Sequence, residues 1–172
     1  MPSFSIIMNC YNGESFLNEA LNSVYAQTFD DWEIIFFDNA SIDKSLEIAK
    51  SYDEKIKIYS NSKNVSLAEA RQLAIDKASG DYLCFLDVDD IWLPKKLSLQ
   101  YEIMKSSLYS ISYGGVACIN KKGQFSHNII PRYNSGSLFE KQLNNFEVNI
   151  LTFVINREKL LESQVRFDHR LI

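Results

Sequence analysis

Short apolar runs alternate with segments of helical periodicity along the first half of the chain. "FSIIMN" at 4–9 and "WEIIFFDN" at 32–39 are near-continuous apolar runs, the pattern of strands buried on both faces, and "KIKIYSN" at 55–61 alternates as a third strand. Between the first two, Phe16, Leu17, Ala20, Leu21 and Val24 recur at helical spacing, with Ser15 placed to cap the start. "SIDKSLEIAKSY" at 41–52 predicts a second helix with Leu46, Ile48 and Ala49 near its inward side. A third helix is predicted from about Ser66, with Gly80 beyond its end as a stop, and "DYLCFLD" at 81–87 is the fourth strand. Strand and helix in alternation mean a parallel sheet covered on both faces, an α/β fold.

After Pro94 the texture changes. "PKKLSLQYEIMKSS" predicts one helix with Pro94 in its first turn. "YSISYGGVACIN" at 109–120, "GQFSHNII" at 123–130 and "EVNILTFVIN" at 147–156 predict strands, and "SGSLFEKQLNN" at 135–145 a short helix. With no linker, low-complexity tract or repeat in between, residues 1–172 form one domain, an α/β half followed by a mixed α/β half.

Composition narrows the function classes. At 46% apolar and 23% charged residues the chain is ordinary globular protein, and a net charge of −4 gives no basic surplus for nucleic acid. Cys10, Cys84 and Cys118 are far apart and show no metal-ligand spacing, so they read as reduced core thiols of a cytosolic protein. The start "MPSFSIIMNCYN" lacks the basic n-region of a signal peptide, and no run approaches the roughly 18 apolar residues that span a bilayer.

The chemistry concentrates in "YLCFLDVDDIW", where an apolar strand runs into Asp87, Asp89 and Asp90. In open α/β sheets ligands bind beyond the carboxyl ends of the strands. Asp38 stands at the end of the second strand and "NCYN" at the end of the first, so polar groups gather along one edge. Mg²⁺ and Mn²⁺ take hard oxygen ligands, commonly one or two carboxylates plus substrate phosphates. An Asp-x-Asp spacing in an extended segment aims both carboxylates the same way. The plainer alternative makes the three aspartates turn formers, with Asp90 the N-cap of the helix near Pro94.

Taken in order, "SIIMNCYNGESFLNEALNSVYAQTFDDWEIIFFDNASIDKS" and "NVSLAEARQLAIDKASGDYLCFLDVDDIWLPKKL" resemble the N-terminal, nucleotide-binding half of family 2 glycosyltransferases. The likeness is strong over about residues 4–97 and weak beyond. It implies a GT-A fold, a Rossmann-like, mainly parallel sheet with helices on both faces. Residues 1–97 would be its nucleotide-sugar-binding half and 98–172 a partial acceptor-side half. By this resemblance Asn9, Cys10 and Tyr11 flank the nucleotide base, Glu14 lies near ribose or base, and Asp38 meets base or ribose. Asn39 stands where many members carry a second Asp. Its carbonyl can still accept from a uracil or thymine imide, and the departure leaves the base open. Arg71 reaches the pyrophosphate, Asp87 with Val88 beside it meets ribose or metal, and Asp89 is the main protein ligand to Mn²⁺ or Mg²⁺. Each has a plainer alternative, among them a capping aromatic for Tyr11, a first-turn acid for Glu14 and a surface helix charge for Arg71. Trp92 and Leu93 are expected to pack.

The implied reaction is direct displacement at the sugar C1 with inversion, from a UDP- or dTDP-sugar to a glycan or lipid-linked acceptor of bacterial surface polysaccharide. The general base usually follows an "FD..L" segment, and here "VRFDHRLI" is expected to stop short of it, the base falling beyond Ile172. Asp168 is expected to pack or cap, and His169 has no visible orienting partner. A nucleotide-sugar-binding domain without turnover is the alternative. A haloacid-dehalogenase-like phosphatase would place its Asp-x-Asp on the first strand and need a later acidic pair. A nucleotidyltransferase would need a basic, Gly-rich loop after strand one, and a dinucleotide oxidoreductase a GxGxxG. The expected setting is the cytoplasm, with peripheral contact at the inner membrane face, although no basic amphipathic helix supports that contact.

Overall fold

The computed structural model describes residues 1–106, 109–120, 122–132, 136, 148–168 and 170. Four parallel strands, β1 (Phe4–Cys10), β2 (Trp32–Asp38), β3 (Ile56–Ser60) and β4 (Tyr82–Phe85), are linked in turn by α1 (Leu17–Tyr25), α2 (Ser45–Lys50) and α3 (Leu67–Ile75). Then come α4 (Lys96–Met104), β5 (Ile111–Ser112), β6 (Val116–Ile119), β7 (Phe125–Ile129), β8 (Val154–Asn156) and α5 (Arg157–Ser163). The main sheet runs β3-β2-β1-β4-β8-β5, with β8 antiparallel to both neighbours, while β6 and β7 form a separate hairpin.

The two sheet faces carry two cores. Ile6, Met8, Ile34 and Phe36 pack with α1 residues Leu17, Leu21 and Val24 and with α4 residues Leu97 and Met104. Ile7, Ile35, Phe37, Leu83 and Phe85 pack under Ala70, Ala74 and Ile75 of α3. Every residue of β2 is buried, which is why its sequence shows no alternation.

Several local expectations are corrected. Ser15 does not cap α1. The Phe16 and Leu17 N–H groups both donate to the Gly13 carbonyl, and the helix begins at Leu17, two residues beyond Ser15, with Phe16 at the N-cap and no side-chain cap. Ser66 does cap α3, accepting from the Glu69 N–H at 3.2 Å. Gly80 is not a helix stop: α3 ends at Ile75, and a Cβ on Gly80 would lie 2.7 Å from the Phe4 carbonyl carbon and the Ser5 nitrogen. Glycine is there because two backbones touch. Residues 109–120 hold two short strands, and 147–156 a 3₁₀ turn (Ile150–Thr152) ahead of β8, with Asn149 Oδ1 accepting from the Leu151 N–H. Apart from Gly136, the helix expected at 135–145 lies outside the described residues. The cysteines are free; Cys10 and Cys84 are buried and Cys118 is half-buried on β6, not a core thiol.

Candidate functional site

The chain runs from β1 outward to β2 and β3, then returns to place β4 on the other side of β1. That reversal opens a crevice at the carboxyl ends of β1 and β4, where open α/β sheets bind ligands. Cys10 pairs with Asp38 in the β1–β2 register, so Asp38 faces the α1 side of the sheet. Asp87 lies two residues past Phe85, on the α3 side. A ligand lying over this edge meets one carboxylate on each face.

The loops after β1 and β2 are stitched together. The Asn12 N–H donates to Ser41 Oγ (3.0 Å), Gly13 N–H to Ser45 Oγ (2.8 Å) and Glu14 N–H to Asp43 Oδ2 (3.0 Å). In return Asn12 Oδ1 accepts from the Ile42 N–H and Glu14 Oε2 from the Lys44 N–H, both at 2.9 Å. Asn12 (φ +55°) and Ala40 (φ +64°) are left-handed, a conformation easy for Asn and costly for Ala by about 1 kcal/mol, so strain is held at this edge.

Asp38 is buried. Its Oδ2 accepts from the Ser41 N–H at 3.2 Å, and its Oδ1 has no hydrogen-bond partner among the described residues. An unsatisfied buried acceptor costs about 1–3 kcal/mol, so a native one calls for an explanation. Asn9 Nδ2 is a second orphan at the same edge. Asn39 behaves differently: its Nδ2 donates to the Val65 carbonyl (2.9 Å) and its Oδ1 accepts from the Val65 N–H (3.0 Å). Both ends of the carboxamide hold the β3–α3 loop, and a base contact is left with the second lone pair of Oδ1. Tyr11 is 54% exposed beside this edge.

Arg71 and Asp87 meet. One guanidinium Nη2 lies 2.9 and 3.2 Å from the two Asp87 oxygens, with the arginine side chain 13% exposed and the aspartate 36%. Arg71 is therefore no surface helix charge. Asp87 to Asp90 form a turn in which the Asp90 N–H donates to the Asp87 carbonyl, and Asp89 is exposed at its tip. Val88 turns inward: a Cβ on Gly13 would lie 2.8 Å from Val88 Cγ2 and 3.0 Å from Cys10 Sγ, so the first loop closes on the acidic turn because residue 13 has no side chain. Burial pushes the Cys10 thiol up, against service as a nucleophile.

Asp90 does not cap α4, whose N-cap is Lys95 without a side-chain bond. The Asp90 carboxylate has no hydrogen bond or ion pair among the described residues. Burial first, then the charges of Asp89 and Asp87, push it up to about 6. A folded-state value above the unfolded one costs stability once the group ionises, and costs nothing below the unfolded value. Asp90→Asn is therefore expected to raise the melting temperature at neutral pH, by on the order of 1 kcal/mol after solvent screening, and to leave it unchanged in acid. Calorimetry checks this; a gain that persists in acid contradicts it.

The segment after the turn is pinned to the end of α1. Gln27 Nε2 donates to the Leu93 carbonyl, Gln27 Oε1 accepts from the Leu97 N–H, and the Thr28 N–H donates to the Pro94 carbonyl. Trp92 is buried and Leu93 exposed. Ser41, Asp43, Ser45, Val65 and Gln27 all shape the site; all five belong to the segments that carry the family resemblance, but none of them is singled out as a site residue by the sequence. Asp168 pairs with Arg170 at 2.7 Å, and His169 lies outside the described residues.

Among the described residues no three His, Cys, Asp or Glu side chains are grouped to hold a metal. The exposed Asp89, the half-exposed Asp87 and the unpartnered Asp90 suit a site that completes its shell with phosphate and water oxygens. Beside Arg71 lies a cavity of about 670 Å³ walled by Phe85, Ile150, Phe153, Ile155 and Phe167.

Comparison with known proteins gives a consistent result. The sequence model of "Glycosyl transferase family 2" matches residues 5–164. The chain is 32% identical over 167 residues to the Escherichia coli UDP-Glc:alpha-D-GlcNAc-diphosphoundecaprenol beta-1,3-glucosyltransferase WfgD, covering 96% of this chain and 65% of that protein. It is 30% identical over 167 residues to the putative teichuronic acid biosynthesis glycosyltransferase TuaG of Bacillus subtilis, covering 95% and 66%. The chain thus spans about two thirds of each relative's length. The fold matches S. aureus TarS 1-349 in complex with UDP-GlcNAc at a TM-score of 0.78 and 21% identity, over 96% of this chain and 48% of that one. It also matches the Pyrobaculum calidifontis mannosyltransferase PcManGT, solved with GDP-Man and Mn²⁺, at 0.63 and 18%, over 98% and 48%.

Proposed function

The chain belongs to glycosyl transferase family 2, and from that premise we propose that it holds a nucleoside-diphosphate sugar across the carboxyl ends of β2, β1 and β4. The sugar passes, with inversion, to a glycan or lipid-linked acceptor in bacterial surface polysaccharide synthesis. The observation that carries the reading is that Asp38, with its unpartnered buried Oδ1, and the Arg71–Asp87 pair stand on the two faces of one sheet edge at the strand crossover.

In this reading Asp38 Oδ1 accepts from the base or a ribose hydroxyl, Tyr11 covers the base, and Asn9, Cys10 and Glu14 shape the floor of that pocket. Arg71 lies close enough to Asp87 to exchange part of that ion pair for the pyrophosphate, where a guanidinium stabilises the charge of the departing diphosphate. Asp89 and Asp87 are the residues that would hold Mn²⁺ or Mg²⁺, whose chemistry there is charge neutralisation on the diphosphate. The cavity beside Arg71 offers room for the sugar and acceptor. The general base is not assigned to a residue of this chain. UDP is favoured over dTDP because the Escherichia coli relative's name specifies UDP-Glc.

A thermal-shift panel of UDP, dTDP, GDP and CDP, each with and without Mn²⁺, tests the reading. A ligand at a hundred times its Kd stabilises the fold it binds by about 2.7 kcal/mol. The expected result is a Mn²⁺-dependent rise with UDP; no rise with any nucleotide overturns the donor site. Product formation from UDP-glucose separates a transferase from a domain that only binds the donor. No helix among the described residues is long and apolar enough to cross a membrane.

A further inference from the structure

The hairpin of β6 and β7 stands apart from the main sheet, and every residue of β7 is exposed. A lone two-stranded hairpin is marginal in water, and its apolar side chains normally find cover. Here Ile119 is 52% exposed, Phe125 63% and Ile130 74%, and Ile119 and Phe125 are register partners on either side of the turn. The turn itself is well organised: Asn120 Oδ1 accepts from the Lys122 and Gln124 N–H groups, and Gly123 takes the left-handed φ of +74° that closes it. Lys122 is exposed there, next to Lys121 in the sequence.

Charge indicates what covers this tip. Between Glu102 and Glu140 there is no acidic residue, while Lys105, Lys121, Lys122 and Arg132 are basic. The rest of the chain has fourteen basic and twenty-two acidic residues, a net −8. The longest acid-free stretch of an acidic protein thus carries two apolar anchors flanking a pair of lysines. Apolar side chains that enter the headgroup region, with lysines set against lipid phosphates, complement an anionic bilayer.

We propose that the β6–β7 turn, through Ile119, Phe125 and Lys122, docks the protein on the surface of an anionic membrane, with Lys121, its neighbour in the sequence, adding to the local positive charge. The proposal is independent of the donor-site reading, because vesicle binding and nucleotide binding are measured separately. The test is co-sedimentation of the full chain with phosphatidylglycerol-containing vesicles and with pure phosphatidylcholine vesicles. The expected result is binding to the anionic vesicles alone, weakened by salt. Lys121→Gln/Lys122→Gln is expected to lower partitioning roughly thirty-fold, at about 1 kcal/mol for each basic residue near the surface. Ile119→Ser/Phe125→Ser is expected to release the protein without moving its melting temperature or its UDP shift. Failure to bind anionic vesicles overturns the proposal. So does binding that neither variant changes, or a turn whose substitution alters self-association and leaves vesicle binding intact.

Discussion

Glu33→Ala is expected to destabilise the fold by about 3 kcal/mol, the low end of what breaking a buried charge network costs. Glu33 is buried in β2 at the opposite end of the sheet from the candidate site. Its Oε1 accepts from Ser5 Oγ at 2.6 Å, Ser79 N–H at 2.9 Å and Ser79 Oγ at 2.7 Å, while Lys57 Nζ lies 2.6 Å from Oε2. Ser5 Oγ in turn accepts from the Gly80 N–H at 2.8 Å. Alanine would strand these donors, although Lys57, nearly half-exposed, can turn to water. For a chain of this size 1 kcal/mol moves the melting temperature by roughly 2–4 °C, so a fall of about 6–12 °C is expected by calorimetry at neutral pH.

The pH dependence gives a second check. Burial raises the Glu33 carboxyl, and hydrogen bonds from Lys57, Ser5 and Ser79 more than offset that, leaving it below the usual glutamate range. A group lowered in the folded state contributes stability above its unfolded value, and that contribution is lost as pH falls through the folded value. The gap between wild type and variant should therefore close in acid. Glu33→Gln, which keeps an acceptor, should cost less than Glu33→Ala. A neutral-pH loss within the 0.5 kcal/mol or so typical of surface substitutions would mean that the network does not hold β4 to β1 and β2.

The contrast between the two ends of the sheet accounts for what was legible in the sequence. Buried parallel strands are written as apolar runs, so β1, β2 and β4 could be placed within a few residues, and Asp38 and Asp87 at their carboxyl ends followed from the topology of open α/β sheets. Ser66 could be read as a cap because it directly precedes its helix, whereas Ser15 could not, because the Gly13 carbonyl takes the first-turn donors. Gly80 was ambiguous because glycine marks both helix ends and close backbone approach, and only contact with Phe4 and Ser5 decides between them. The grip of Asn39 on Val65 joins residues 26 apart and the Arg71–Asp87 pair residues 16 apart; no local periodicity encodes either. In the second half, β8 pairs antiparallel with β4 only after the 3₁₀ turn at Ile150–Thr152, and pairing direction has no local signature. The acidic edge is where local rules are violated together, by an orphaned Asp38 oxygen, a left-handed Ala40 and three crowded carboxylates, as expected where function rather than stability selects residues.

Asp89→Asn is expected to remove most of the Mn²⁺-dependent nucleotide shift and leave the unliganded melting temperature nearly unchanged. Asp89 is exposed at the tip of the turn, so its replacement disturbs no packing. Amide oxygens are weaker ligands for hard cations than carboxylates, and one fewer negative charge weakens the site further. Even outer-shell substitutions typically cost 10–100-fold in metal affinity, so a direct ligand should cost at least about 100-fold. With ligand at a hundred times the wild-type Kd, stabilisation of about 2.7 kcal/mol falls to about 0.4 kcal/mol. A shift of roughly 5–11 °C thus shrinks to one or two degrees. Arg71→Ala provides the contrast: it removes a cation from the diphosphate side, so it should weaken nucleotide binding with and without Mn²⁺. A full Mn²⁺-dependent shift in Asp89→Asn would remove Asp89 from the metal site. Loss of metal dependence in Asp90→Asn together with its retention in Asp89→Asn would move the ligand to the carboxylate that burial now raises to about 6.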